Sequence, residues 1–179
     1  MRGGFIFRSI AVFFILLLAV WMDFKEYKVK NELILFGFIT AFLYQIFCFG
    51  LQGVISYGMG IIVPILILFL LFLLHMLGAG DIKLFSVIGS FFGVEAILSC
   101  MYYSFMVGAI LSILLLLKKN QFLVRFQYFF NYTLCCISSK QIKPYRDKEN
   151  EATEEGAMHF TLAILSGFLI MIFVGRTVN

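Results

Sequence analysis

The sequence predicts an all-α, polytopic membrane protein with about six transmembrane helices. Of its 179 residues, 62% are hydrophobic and only 13% are charged, and the mean hydropathy is +1.00, whereas about a quarter of the residues in soluble domains are charged. The apolar residues also form long runs, several of which approach the roughly 20 residues that a helix needs to cross a bilayer. Continuous runs of this length are typical of membrane helices rather than of strands.

Six apolar runs predict the individual helices. The first is too long and too aromatic for the apolar region of a signal peptide, so we expect it to be a retained helix. The fourth contains 13 residues, about 20 Å of helix, which is short for a complete span. The six runs are residues 5–22, 33–50, 54–77, 82–94, 96–117 and 158–175.

One sizeable polar connection, residues 118–157, interrupts this pattern and is predicted to be cytoplasmic. Within it, residues 121–137 are rich in Phe and Tyr but also contain Arg125, Gln127 and Asn131. This mixture favours a helix that lies in the membrane interface. If the segment crossed the bilayer instead, the last helix would run in the opposite direction. The whole chain, residues 1–179, is predicted to form a single membrane domain.

The distribution of basic residues predicts the orientation. The positive-inside rule counts Lys and Arg in short loops near the ends of membrane helices. With the amino terminus outside, eleven of the 14 Lys and Arg residues lie on the cytoplasmic side, and Arg2, Arg8 and Arg176 lie outside. The ends of the first and third helices and the start of the fourth then share the cytoplasmic face. The net charge of +4 is therefore explained by lipid topology, and no nucleic-acid partner is expected.

Two aspartates at the edges of apolar runs are the candidate catalytic residues. Asp23 follows the first run directly, and Asp81 follows Gly78-Ala79-Gly80 where the third run gives way to the fourth. Ionisable groups at such positions are costly, so each is a functional candidate. The predicted topology places both at one membrane face, where two carboxylates distant in sequence can share a site.

Paired carboxylates are suited to the hydrolysis of a peptide bond. Two close carboxyl groups do not both ionise readily, so one keeps a proton while the other stays charged. The charged group activates water, and the protonated group donates to the carbonyl oxygen or the leaving amine. Because such a pair titrates as a unit, the acid and the base are not assigned.

Gly78 and Gly80 would let a substrate backbone approach Asp81 closely. A helix break with a solvated capping Asp81 is the alternative interpretation of the same four residues.

The segment around Asp81 carries a long, ordered pattern. It reads Gly78-Ala79-Gly80-Asp81-Ile82-Lys83-Leu84 and continues through Ser86-Val87-Ile88-Gly89 and Phe92-Gly93-Val94-Glu95-Ala96. This pattern resembles the core motif of the type IV prepilin peptidases, the Gly-x-Gly-Asp membrane aspartic proteases. Asp23, with the basic residues after it and Val29-Lys30-Asn31, resembles the family's other aspartate segment, although Lys30 stands where a proline is common.

The resemblance implies an aspartic endopeptidase in the inner membrane of a prokaryote. It would remove the short basic leader of prepilin or pseudopilin precursors at the cytoplasmic face, with Asp23 and Asp81 as the catalytic pair. Gly78, Gly80 and Lys83 would be motif residues that position the site, and a lysine that snorkels to the interface is the alternative for Lys83. The expected partners are the precursor and the lipid bilayer. The lack of paired cysteines resembles the compact, peptidase-only members, such as those that serve Flp/Tad-type pili.

No metal or other cofactor is expected. His75 and His159 have no consistent ligand spacing, and the four cysteines form no Cys-x-x-Cys pair. For Asn31 and Glu32, capping of the second helix explains the residues at least as well as contact with the substrate near Asp23, so neither is placed in the catalytic set. Glu95 is interpreted as a loop carboxylate at the opposite face.

Three alternatives to a prepilin peptidase stay open. In a small transporter, Asp23 and Asp81 would relay protons or ions. In a non-catalytic assembly component, neither aspartate would be essential. An intramembrane protease with other substrates would share the Gly-x-Gly-Asp pattern but not the pilin-like precursor.

Overall fold

A computed structural model of the chain describes residues 2–26, 28–74, 76–118 and 160–178. All regular elements of these residues are helices, which confirms the predicted all-α fold for this part of the chain. The polar connection 118–157, including the predicted interfacial helix 121–137, lies outside the described residues except for Lys118. The helices are α1 (Arg2–Glu26), α2 (Asn31–Leu73), α3 (Ala79–Phe92), α4 (Val94–Lys118) and α5 (Phe160–Val178).

The chain divides into two compact units. The first unit, residues 1–108 and 159–179, contains α1, α2, α3, the beginning of α4, and α5. In the second unit, residues 109–158, the described part is the continuation of α4 to Lys118. Every candidate site residue discussed below belongs to the first unit.

Three described helices are long and apolar enough to cross a membrane, namely Gly4–Glu26, Asn31–Leu73 and Val94–Leu115. Phe160–Gly175 is apolar but shorter, and α3 has only 14 residues. These three candidate spans support the predicted membrane character, but they are fewer than the six predicted. One reason is that α2, with 43 residues, joins two of the predicted helices.

A bend at Gly50 divides α2. Gly50 has φ 58° and ψ −138°, and a positive φ of this kind is readily adopted only by glycine. The rings of Phe42 and Tyr57 lie 5.5 Å apart between centroids, although fifteen residues of straight helix would separate them by about 22 Å. The chain therefore folds back at Gly50, in agreement with the separate predicted helices 33–50 and 54–77.

α3 lies between the two halves of α2, and nine of its 14 residues are buried. The half before Gly50 runs parallel to α3, because Lys83 meets Asn31 near one end and Ser90 meets Gln45 near the other. The half after Gly50 runs antiparallel to it. Its contacts with α3 pair Ser56 with Gly93, Gly60 with Gly89, and Ile61 with Ser86.

Gly60 and Gly89 bring the second half of α2 and α3 together backbone to backbone. A Cβ atom built on either glycine would overlap the carbonyl oxygen of the other. Small residues permit this close approach, which is common where membrane helices pack together. The contact fixes the separation of α2 and α3 near the carboxyl end of the short helix.

The carboxyl end of α3 is covered by polar side chains from α1 and α2. Gln45 Nε2 donates to the carbonyl oxygens of Ser90 and Phe91 at 3.0 and 3.3 Å. Arg8 Nη1 donates to the Phe91 oxygen at 3.2 Å. The last carbonyls of a helix have no partner within it, so these bonds replace water. Three rings, of Tyr44, Phe49 and Phe92, lie 5.7, 5.8 and 5.3 Å from the Arg8 guanidinium.

Candidate active site

The end of α1 and the starts of α3 and α5 meet at one end of the first unit. α1 runs antiparallel to α3, because Arg8 near its start contacts the last turn of α3. α5 begins beside the end of α1, where Thr161 contacts Asp23, and Phe168 further along α5 contacts Phe92 at the far end of α3. This arrangement carries Asp23 and Asp81 to the same end of the helices.

Asp81 lies in the first turn of α3. The helix begins at Ala79, earlier than the predicted Ile82, because Gly78 is its N-cap. The Asp81 N–H donates to the Gly78 oxygen at 3.2 Å, and the Gly78 backbone also bonds to the Asp81 carboxyl group, as in a capping box. Asp81 therefore helps to cap the helix, as the alternative interpretation expected, but it is partly buried rather than fully solvated.

The environment of Asp81 favours its protonated form. Asp81 lies outside the candidate membrane spans. Burial, and then the negative charge of Asp23, raise the pKa of Asp81 to about 6, while the bond from the Gly78 backbone lowers it. The negative charge of Asp23 therefore acts on Asp81, which supports the prediction that the two carboxyl groups share a site.

Asp23 lies in the last turn of α1 and is partly buried. The Thr161 hydroxyl donates to Asp23 Oδ2 at 2.7 Å, and only 2% of Thr161 is exposed. Thr161 is not among the residues predicted from the sequence, where its signal is weak. It amounts to one hydroxyl residue near the start of the last apolar run.

The two motif glycines differ in their surroundings. A Cβ atom on Gly78 would lie 3.2 Å from Asp81 Oδ2, which is a tight contact, whereas on Gly80 it would lie 3.8 Å from Val29 Cβ, an ordinary one. The contact with Asp81 therefore explains why position 78 is a glycine. At position 80, the packing of the described residues leaves room for a methyl group.

Lys83 is exposed, and its Nζ donates to Asn31 Oδ1 at 2.8 Å. The interpretation of Asn31 as a capping residue of α2 is wrong, because the N-cap is Lys30 and Asn31 is the first helical residue. Glu32 lies in the first turn of α2, where an acidic side chain interacts favourably with the helix dipole. Lys83 thus joins the start of α3 to the start of α2 beside Asp81.

Residues suited to a membrane interface surround the end of α1. Lys25 Nζ lies 5.5 Å from the centre of the Trp21 ring, and 61% of Trp21 is exposed. Tryptophan and lysine are favoured where a helix leaves the hydrocarbon region. Lys30 forms a 3.1 Å ion pair with Glu26. This pair is exposed, so it contributes at most about 1 kcal/mol.

Glu95, Cys48 and Cys100 are further titratable residues of the described chain. Glu95 lies in the first turn of α4 rather than in a loop, beyond the far end of α3 from Asp81. Cys48 is exposed and Cys100 is buried. His75, His159, Cys135 and Cys136 lie outside the described residues. Among the described residues, no three His, Cys, Asp or Glu side chains are grouped to hold a metal ion.

Comparison with known proteins gives one match. A model of the type IV leader peptidase family matches residues 10–113, more than half of the chain. The matched range contains Asp23, Gly78, Gly80, Asp81 and Lys83, whereas Thr161 lies beyond it. No curated protein and no solved structure matches the chain.

Proposed function

Because the chain belongs to the type IV leader peptidase family, we propose that it is an aspartic endopeptidase that removes the short basic leader from type IV prepilin-like or pseudopilin precursors. The family indicates a peptidase. The observation that carries the finer proposal is the meeting of Asp23 and Asp81 at one end of the helices, with the pKa of Asp81 raised by burial and by Asp23. A pair with one shared proton is the arrangement that this hydrolysis requires.

In the proposed mechanism, the carboxyl pair activates one water molecule between them. The charged carboxylate takes a proton from this water while its oxygen bonds to the peptide carbonyl carbon. The protonated carboxyl group donates to the carbonyl oxygen. The tetrahedral intermediate then collapses, the carbon–nitrogen bond breaks, and a proton passes to the leaving amine. The reaction consumes one water and restores the single shared proton of the pair.

The proposed topology has six crossings with the amino terminus outside. The bend of α2 at Gly50 supports it, because α2 then supplies two antiparallel helices. The active site would face the cytoplasm across the inner membrane of a prokaryote. Trp21 and Lys25 support an interfacial position for this end of the helices.

The proposed substrate follows from this position. An apolar helix of the precursor would remain in the bilayer beside the enzyme, while its basic leader would reach the cytoplasmic side. Cleavage at their junction would release a mature subunit for assembly of a pilus or a secretion system. The leader and the lipid bilayer are the partners in this proposal, and the chemistry uses no cofactor.

Co-expression with candidate precursors tests the proposal. Asp23→Asn and Asp81→Asn should each abolish cleavage while the variant proteins still accumulate in the membrane. Glu95→Gln is the matched control, since it neutralises a carboxylate beyond the other end of α3, and it should leave cleavage intact. Normal processing by either aspartate variant would exclude the two-aspartate mechanism.

The same experiment separates the alternatives. An assembly component would tolerate both asparagine substitutions. A transporter would show ion or proton flux that depends on the aspartates without cleavage of any precursor; its relay groups would be distributed through the membrane depth, whereas Asp23 and Asp81 share one end of the helices. An intramembrane protease with other substrates would lose its activity in the same variants but would leave pilin-like precursors intact.

A further inference from the structure

We propose that Thr161 is a positioning residue that holds the Asp23 carboxyl group in a fixed orientation for the reaction. This inference rests on the proposed function, because it adds a residue to the active site of that reaction. It concerns a residue of α5, outside the segment that matches the family model.

The geometry of the contact supports a specific role. Thr161 Oγ1 lies 2.7 Å from Asp23 Oδ2, and Thr161 is almost completely buried. Hydrogen bonds from a hydroxyl to an ionised carboxylate are short and stronger than bonds between neutral groups. A bond to Oδ2 also restricts rotation of the Asp23 carboxyl group.

The orientation of a catalytic carboxyl group matters in this reaction, because a misplacement of about 1 Å can lower the rate about 100-fold. Because the Thr161 hydroxyl bonds to Asp23 Oδ2, its loss should lower kcat without changing substrate binding.

Kinetics of the purified full-length chain in detergent micelles would test this role, with a fluorescent prepilin-like peptide as the substrate. Thr161→Val removes the hydroxyl but keeps the shape, and Thr161→Ser keeps the hydroxyl. The valine variant should lose about tenfold in kcat, the effect of one bond to a charged group, with KM unchanged. The serine variant should restore kcat.

Thr40→Val is the matched control. It makes the same chemical change on α2, where the Thr40 hydroxyl bonds to the Phe36 and Gly37 carbonyl oxygens of its own helix, and it should leave kcat unchanged. The inference is overturned if Thr161→Val keeps the kcat of the wild type. It is also overturned if the serine variant is as impaired as the valine variant.

A second measurement keeps this inference separate from the proposed function. If the wild-type chain cleaves no prepilin-like peptide, the proposed function fails, but unfolding of the same variants still reports on the Thr161–Asp23 bond. Thr161→Val should lower stability in the wild-type background and have much less effect in an Asp23→Ala background. Equal losses in the two backgrounds would show that Thr161 acts only through packing.

Discussion

Gly60 and Gly89 stand so close that neither position can accept a methyl group without moving a helix. Gly58, two residues earlier on α2, has no neighbouring atom within 4 Å of a built Cβ. We expect Gly60→Ala to lower the free energy of unfolding by about 2 kcal/mol, as overpacking does, because α2 and α3 must separate. Gly58→Ala should be neutral or slightly stabilising, since alanine is the better helix former. Thermal unfolding in micelles would compare the two, and equal effects would contradict the close contact.

Replacement of the two motif glycines, Gly78 and Gly80, should affect activity in different ways. Gly78→Ala places a methyl group 3.2 Å from Asp81 Oδ2, so we expect it to displace the carboxyl group and to lower kcat by at least about tenfold. Gly80→Ala meets no tight contact within the described residues and should leave the unfolding temperature unchanged. If a substrate backbone approaches this position, Gly80→Ala should raise KM instead. Full activity of Gly80→Ala would remove Gly80 from the positioning residues.

Asp81 should make stability depend on pH. Its pKa of about 6 in the folded chain is higher than the value near 4 of an unfolded chain. Between pH 4 and 6 the folded state therefore binds more protons, and stability falls as the pH rises through this window. At pH 7.5, Asp81→Asn should be more stable than the wild type by up to about 3 kcal/mol. Below pH 4 the difference should vanish, because Asp81 is then protonated in both states.

Denaturant unfolding of the wild type and Asp81→Asn at several pH values measures this effect. Glu95→Gln, at an exposed carboxylate outside the site, is the control for general effects of charge removal. A stability difference between the wild type and Asp81→Asn that stays constant from pH 3.5 to 7.5 would show that the Asp81 carboxyl group is not displaced toward its protonated form.

The Lys83–Asn31 bond should contribute to activity more than to stability. Both residues are exposed, so breaking the bond should cost no more than about 1 kcal/mol of unfolding free energy. If the bond positions α3 for cleavage, Lys83→Met and Asn31→Ala should each reduce kcat/KM several-fold, and the double variant should be no worse than either. Lys28→Met provides a matched control in the connection between α1 and α2. Unchanged activity of Lys83→Met would favour a lysine that only snorkels to the interface.

Local features of the sequence predicted much of the helical structure. Apolar runs report on burial or lipid contact residue by residue, so α1 and the two halves of α2 could be anticipated. The start of α3 was placed too late, because Gly78 and Ala79 carry little hydrophobic signal and the capping geometry depends on backbone angles. The candidate pair of Asp23 and Asp81 could be proposed because the predicted topology requires their helix ends to share one face.

Contacts between distant segments could not be predicted in this way. Thr161 and Asp23 are 138 positions apart, and their bond depends on how α1 and α5 pack and rotate. Asn31 and Lys83 are 52 positions apart. The sequence therefore suggested a local capping role for Asn31 but not its hydrogen bond with Lys83. The contact of Gly60 with Gly89 likewise depends on which faces of two apolar helices meet, and apolar sequence alone does not distinguish those faces.

Arg8 and Gln45 donate hydrogen bonds to the last carbonyl oxygens of α3. These bonds affect where water can reach the helix. Fourteen residues form a helix of about 21 Å, shorter than a hydrocarbon layer of about 30 Å. With its carbonyl end already supplied with donors, α3 can stop inside the lipid layer without exposing polar backbone. Its other end can then lie at the membrane surface, where Asp81 would draw the nucleophile for each turnover directly from the aqueous phase.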